Sequence, residues 1–114
     1  MRTLFTSLAI LYAGVMLMGS GEPRQALLLE VEEEAGSVGV NLVAQSPIAQ
    51  RVSYQIELTG ASTSRHSGST NIPADERQVL SRMRTSFADR WCAVAQVTEE
   101  NGRTYDLTAG DCRS

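Results

Sequence analysis

Beyond residue 21, apolar and polar residues alternate along much of the chain. The clearest example is residues 52–59, where Val52, Tyr54, Ile56 and Leu58 alternate with Ser53, Gln55, Glu57 and Thr59. Successive side chains of a β-strand point to opposite faces, so this pattern predicts a strand with one face on a core and one in water. No part of the chain after residue 21 has a sustained helical repeat.

Seven segments fit this description, at about residues 26–33, 37–44, 51–59, 62–70, 76–87, 91–100 and 103–112. The fourth segment is weakly hydrophobic and rich in Ser, Thr and Gly, so it fits either a polar edge strand or a mobile loop. Seven short strands with turn signals between them predict an all-β, immunoglobulin-like sandwich of antiparallel strands.

The start of the chain has the pattern of a secretory signal peptide. Arg2 supplies a positive charge, residues 4–18 are almost all apolar, and residues 19–21 are small enough for cleavage. The apolar run of about 15 residues is shorter than the roughly 20 that span a bilayer. We therefore expect export into the periplasm, cleavage near residue 21, no stable membrane insertion, and a single domain over residues 22–114.

The charge balance argues against a nucleic-acid partner. The formal net charge is −3, and loss of Arg2 with the signal peptide makes the remaining domain more acidic. Proteins that bind nucleic acids usually concentrate basic residues on one face. We expect no nucleic acid among the partners.

The two cysteines, Cys92 and Cys112, predict one disulfide, because an even count in an exported chain is typical of paired cysteines. Two unpaired cysteines in a core are the alternative. A bridge that closes a loop of this length would contribute about 3 kcal/mol to stability.

The last hairpin offers a register that would bring these cysteines together. Asn101 and Gly102 form a strong turn signal. A two-residue loop sets Cys92 opposite Asp111, whereas a three-residue loop of residues 101–103 sets it opposite Cys112. We favour the second register, which sets Glu100 opposite Thr104, Val97 opposite Leu107 and Ala95 opposite Ala109. In this register the apolar residues of both strands lie on one side of the hairpin: Trp91, Ala93, Ala95, Val97, Tyr105, Leu107 and Ala109.

Catalytic and metal-binding patterns are weak in this chain. His66 is the only histidine, and the sequence around it has neither further metal ligands nor a nucleophile turn, so we expect a surface histidine and no metal or cofactor. A thiol oxidoreductase usually carries Cys-x-x-Cys at the start of a helix, whereas Cys92 and Cys112 fall on predicted strands far apart. We expect a binding protein and not an enzyme.

The segment 76–87 carries the candidate binding residues. Its alternation predicts Val79, Met83 and Phe87 on one side and a basic, polar stripe on the other, formed by Gln78, Arg82 and Arg84. A stripe of this kind on an acidic protein suits a polar, acidic partner. The simpler alternative is that these arginines only keep the outer face soluble.

The order of segments over about residues 26–112 resembles the CsgH group of curli assembly chaperones. The similar segments are residues 52–58, the Ser/Gly-rich residues 62–70, Val79-Leu80-Ser81, and Trp91-Cys92-Ala93-Val94 with the hairpin that follows. The resemblance implies a periplasmic immunoglobulin-like sandwich that keeps the amyloid-forming curli major subunit from aggregating before secretion. Such subunits are polar repeats prone to cross-β stacking. The related CsgC group carries a Cys-x-Cys motif that this sequence lacks, which favours a holding role over a redox role.

Two other functions stay open at this point. A fimbrial or cell-surface accessory subunit would also be a β-sandwich, although a pilin-like subunit should lack a strand of its own. A thiol oxidoreductase would need a reactive cysteine. This chain supplies all seven predicted strands itself, which argues against the pilin-like subunit. We expect a monomer.

Overall fold

A computed structural model describes residues 25–112, and the predicted signal peptide lies outside these residues. The seven predicted strands are confirmed, with ends within two residues of the prediction: β1 (Leu27–Glu34), β2 (Ser37–Gln45), β3 (Gln50–Thr59), β4 (Thr63–Ile72), β5 (Arg77–Ser86), β6 (Cys92–Glu99) and β7 (Thr104–Gly110). The described part of the chain has no helix long and apolar enough to cross a membrane.

The strands form two antiparallel sheets, with the orders β1-β2-β5 and β4-β3-β6-β7. The sheets meet along two sides of the molecule, where β4 approaches β5 and β1 approaches β7. In the constant-type immunoglobulin arrangement the fourth strand joins the first sheet. Here β4 instead pairs with β3 from Thr63 to Ile72, because the short connection of residues 60–62 folds it back as a hairpin. The predicted β-sandwich is confirmed.

One hydrophobic core lies between the two sheets. In the strands other than β5 alternate residues point inward, as the sequence pattern predicts, and Val52, Ile56 and Leu58 are buried on β3. Complete burial of such a side chain contributes about 1.5–3 kcal/mol. The core residues come from both sheets: Ala26, Leu27, Val38, Val40, Leu42, Ala44, Val52, Ile56, Leu58, Ile72, Trp91, Ala93, Ala95 and Val97.

The predicted register of the last hairpin is wrong by two residues. Cys92 lies opposite Gly110, and Val97 lies opposite Tyr105. The loop does have three residues, but these are residues 100–102, because the Gly102 N–H donates to the Glu99 carbonyl and Gly102 takes a positive φ of 92°. A shift of two keeps every side chain on its predicted face, so the predicted apolar side is confirmed.

A second correction concerns β5. The pairing with β2 shifts between Leu42, opposite Ser81, and Val43, opposite Val79, so Leu80 forms a β-bulge. A bulge inserts one extra residue and reverses the alternation of faces beyond it. Val79 therefore lies on the outer face opposite Val43, and not on the side of Met83 as the simple alternation predicted.

Candidate functional site

The solvent-facing side of the β1-β2-β5 sheet, hereafter the outer face, carries two columns of opposite charge. Glu30 on β1 forms an ion pair with Arg77 on β5, and Glu32 Oε1 lies 3.8 Å from Arg84 Nη2. Between the columns β2 presents small or uncharged residues: Gly39, Asn41 and Val43. Exposed ion pairs contribute at most about 1 kcal/mol each, so these pairs orient the side chains more than they stabilise the fold.

Gly39 allows the Arg84 side chain to lie across β2. A Cβ at position 39 would be 2.8 Å from Arg84 Nη2 and 3.2 Å from its Cζ. With no side chain in the way, the guanidinium reaches toward Glu32, and its Nη1 donates to the Ser37 hydroxyl at 3.4 Å. A glycine inside a strand often marks such a close approach.

Arg82 is the least constrained cation of the outer face. It lies opposite Asn41, its side chain is exposed, and it forms no ion pair with any residue of the range 25–112. Arg82 and Arg84 point to the same face and flank an open depression of about 440 Å³. The depression has a mainly polar lining: Glu32, Gly39, Asn41, Arg77, Val79, Arg82, Met83 and Arg84. The structure therefore brings together the two arginines of the candidate site.

Gln78, the third candidate, does not join them. It lies opposite the core residue Ala44, because the bulge at Leu80 turns it to the other face of β5. Its exposed side chain stands at the rim of the sandwich. The expectation that Gln78 shares a face with Arg82 and Arg84 is wrong.

The predicted disulfide between Cys92 and Cys112 is confirmed, with a Cα–Cα distance of 4.9 Å. The cysteines are not directly opposite each other. Gly110 adopts a φ of 85°, and the Asp111 N–H donates to the Trp91 carbonyl, so the chain turns back and brings Cys112 to Cys92. Neither cysteine in the described chain is free. A structural disulfide of this kind is typical of exported proteins.

His66 belongs to a polar seam where β4 approaches β5. Its Nδ1 lies 2.7 Å from the hydroxyl of buried Ser81, and its ring meets the Tyr54 ring edge-on with centroids 5.7 Å apart. The Tyr54 hydroxyl passes over Gly68 and donates to the Leu80 carbonyl at 3.4 Å. His66 is exposed, as predicted, yet it also links the two sheets. Within residues 25–112 no cluster of three metal-ligating side chains occurs.

On the opposite side of the sandwich, where β1 approaches β7, lies the buried carboxylate of Glu99, which was not predicted from the sequence. Glu99 is 5% exposed, and its Oε2 accepts the Ala26 N–H at 2.8 Å and the Tyr105 hydroxyl at 2.6 Å. Burial, and then the hydrogen bond to Glu99, raise the pKa of Tyr105 above its ordinary value. The Tyr105 oxygen also accepts the Leu27 N–H at 3.3 Å, so this cluster ties β1 to β6 and β7. Its signal in the sequence is a glutamate at an inward position of a strand.

These features define a small immunoglobulin-like β-sandwich with a charged outer face, a polar seam and one disulfide. No model of a known protein family matches the chain, and no curated protein matches it. Solved structures do. The solution structure of R. palustris CsgH is 19% identical with a TM-score of 0.52, and the match covers 72% of this chain and 87% of that one.

The structure of the E. coli curli protein CsgC is also similar to that of this chain. It is 12% identical with a TM-score of 0.54, and the match covers 76% of this chain and 97% of that one. At these identities the likeness concerns the fold. The chain therefore has a CsgH/CsgC-like fold, in agreement with the resemblance stated from its sequence.

Proposed function

We propose that the protein is a periplasmic chaperone that binds curli-type amyloid subunits and delays their aggregation before secretion. The observation that carries this proposal is the likeness in fold to CsgH and to the curli protein CsgC over most of all three chains. The disulfide between Cys92 and Cys112 supports an exported protein. The function is one of binding and needs no cofactor.

The outer face supports a contact driven by electrostatics. Arg82 has a guanidinium without an ion pair in the described part of the chain, and Arg84 makes only the long 3.8 Å approach to Glu32. Both can turn to carboxylates of a client without first breaking a strong bond. Contacts between exposed charges are weak and form quickly, which suits a chaperone that must release its client for secretion.

A thioflavin-T time course of the purified curli major subunit tests the proposal. Substoichiometric amounts of the protein should lengthen the lag phase, and an Arg82→Ala/Arg84→Ala variant should lose most of that effect. The matched control is Arg51→Ala/Arg90→Ala, which removes the same charge from exposed positions outside the outer face and should keep the effect. No change in lag at an equimolar ratio would refute the chaperone function and favour a fimbrial or cell-surface accessory subunit.

Two further variables sharpen the test. Gly39→Ser places a Cβ against the Arg84 guanidinium and should weaken the effect without unfolding the protein, because the side chain that must move is flexible. Raising salt from about 0.01 M to about 1 M shortens the Debye length from about 30 Å to about 3 Å and should also weaken it. Thiol titration of the native protein tests the oxidoreductase alternative, which requires a reactive cysteine.

A further inference from the structure

The two sheets have four edges, and three of them are protected against pairing with another strand. Edge strands expose unpaired backbone N–H and C=O groups, and proteins protect them with charges, bulges or short length. β5 has its bulge at Leu80, and its Ser86 carbonyl accepts the Ala61 N–H. β1 ends in the acidic residues 32–34. β7 is the shortest strand, and the chain beyond it is fixed to β6 by the disulfide.

β4 is long and has no bulge, and its one arginine, Arg65, is paired with Glu57. It is a ten-residue strand that pairs only with β3, in an unbroken register from Thr63 to Ile72. It contains no proline, lysine or acidic residue. Its two basic side chains are engaged elsewhere, since Arg65 Nε lies 3.1 Å from Glu57 Oε2 and His66 contacts Ser81. The other edge of β4 has no backbone hydrogen-bond partner among the described residues.

The register identifies the residues whose backbone groups point outward. In antiparallel sheets the N–H and C=O of one residue point to the same neighbouring strand, and those of the next residue point to the opposite side. The Glu99 N–H donates to Arg103, so odd-numbered residues of β6 face β7 and even-numbered ones face β3. The registers of β6 with β3 and of β3 with β4 then place the even-numbered residues of β4 toward β3. Arg65, Ser67 and Ser69 therefore present their N–H and C=O groups at the free edge.

We propose that this free edge of β4 takes up an extended, polar and weakly charged polypeptide strand by β-sheet addition. The side chains beside the incoming strand are small or carry hydroxyl and amide groups, which form no apolar pocket: Ser67, Gly68, Ser69, Thr70 and Asn71. Main-chain hydrogen bonds would supply the affinity, and Ser, Gln, Asn or Gly side chains would fit best. The inference rests on the proposed function, in which the strand belongs to the curli subunit.

Proline substitutions at two of these positions test the edge without disturbing the existing sheet. In Ser67→Pro/Ser69→Pro the lost N–H groups are those that point away from β3, a position that edge strands tolerate. The matched control is Ser67→Ala/Ser69→Ala, which keeps both N–H groups but also loses the 3.1 Å contact between the Ser53 and Ser69 hydroxyls. Urea midpoints read by Trp91 fluorescence check that both variants fold.

The two variants are compared in the thioflavin-T assay with the purified curli major subunit. We expect the proline variant to lose the lag extension and the alanine variant to keep it. If the wild type extends the lag and the proline variant extends it equally, the inference about β4 is overturned while the proposed function stands. If the wild type has no effect, the proposed function itself fails.

Amide hydrogen exchange on the wild-type protein gives an answer that does not depend on the folding of any variant. Addition of the curli major subunit should slow exchange at Arg65, Ser67 and Ser69 and leave the amides of Ser64 and His66, already bonded to β3, unchanged. Protection confined to β1 or β5 would overturn the inference. The inference would also be overturned if these amides were protected in the free protein and sedimentation showed a dimer. In that case β4 would pair with the β4 of a second copy of the protein.

Discussion

The hydrogen bond from Tyr105 to Glu99 should contribute strongly to stability. Tyr105→Phe removes a 2.6 Å hydrogen bond to a carboxylate that is 5% exposed, and with it the longer 3.3 Å bond from the Leu27 N–H, while the Ala26 N–H remains bonded to Glu99 Oε2. A hydrogen bond to a charged group contributes about 1.5–3 kcal/mol. We expect a loss of about 2 kcal/mol, which for a domain of this size lowers Tm by about 8–16 °C.

The matched control is Tyr54→Phe on the other side of the sandwich. The Tyr54 hydroxyl donates to the neutral Leu80 carbonyl at 3.4 Å, so its loss should cost less than about 1 kcal/mol. Urea unfolding with the disulfide intact measures both variants, and the buried Trp91 is a single fluorescent reporter of the core. The reasoning is refuted if Tyr105→Phe costs no more free energy of unfolding than Tyr54→Phe.

The same residue gives the stability a dependence on high pH. The pKa of Tyr105 is raised in the folded protein, so between its ordinary pKa and the raised one the folded state holds a proton that the unfolded state has lost. The contribution of Tyr105 is fully present below about pH 10 and falls above it by about 1.4 kcal/mol per pH unit. Urea midpoints from pH 8 to about pH 11 should therefore decline more steeply for the wild type than for Tyr105→Phe. Equal slopes would contradict the assignment.

Two further predictions concern backbone turns and the disulfide. Gly110→Ala should lower the free energy of unfolding by more than about 2 kcal/mol, because a Cβ there would overlap the Trp91 carbonyl oxygen and ring. Gly36 has a similar positive φ but open space around it, so Gly36→Ala should lower it by only about 1–2 kcal/mol. Urea unfolding ranks the two, and equal costs would exclude the overlap as the cause. Replacing Cys92 and Cys112 by alanine should lower the free energy of unfolding by about 3 kcal/mol, and a reducing agent should lower that of the wild type but not of the variant.

The sequence predicted the strands well because alternation with period two reports directly on burial. It predicted the pairing of Cys92 with Cys112 for a partly wrong reason, since the true register sets Cys92 opposite Gly110 and the chain turns after that glycine. A local turn signal does not specify which residue takes the positive φ, and one residue of uncertainty there changes every pairing along the hairpin. The predicted faces of the hairpin side chains are nevertheless correct, because the register is shifted by an even number of residues.

The prediction of the candidate site was wrong at one residue for a related reason. Simple alternation placed Gln78 with Arg82 and Arg84, but the bulge at Leu80 intervenes. The local sequence gives no sign of this bulge, because it contains neither glycine nor proline. Its position is determined by the pairing of β5 with β2. Glu99 was missed because its partners, the Ala26 N–H and Tyr105, come from other strands, and only the assembled sandwich shows that its charge is buried and hydrogen-bonded.

The two surfaces proposed for binding adjoin where β4 approaches β5. Ser81, which His66 contacts, points into the sandwich, whereas its neighbour Arg82 points to the outer face, so the free edge of β4 and the arginines of β5 lie on two surfaces that adjoin along β5. A strand added to β4 would place its neighbouring segments within reach of Arg82. Two weak contacts strengthen binding together only when one client chain binds to both of them at the same time. The Arg82→Ala/Arg84→Ala and Ser67→Pro/Ser69→Pro variants should therefore give less than additive losses of lag extension when combined, because either one alone removes the simultaneous contact.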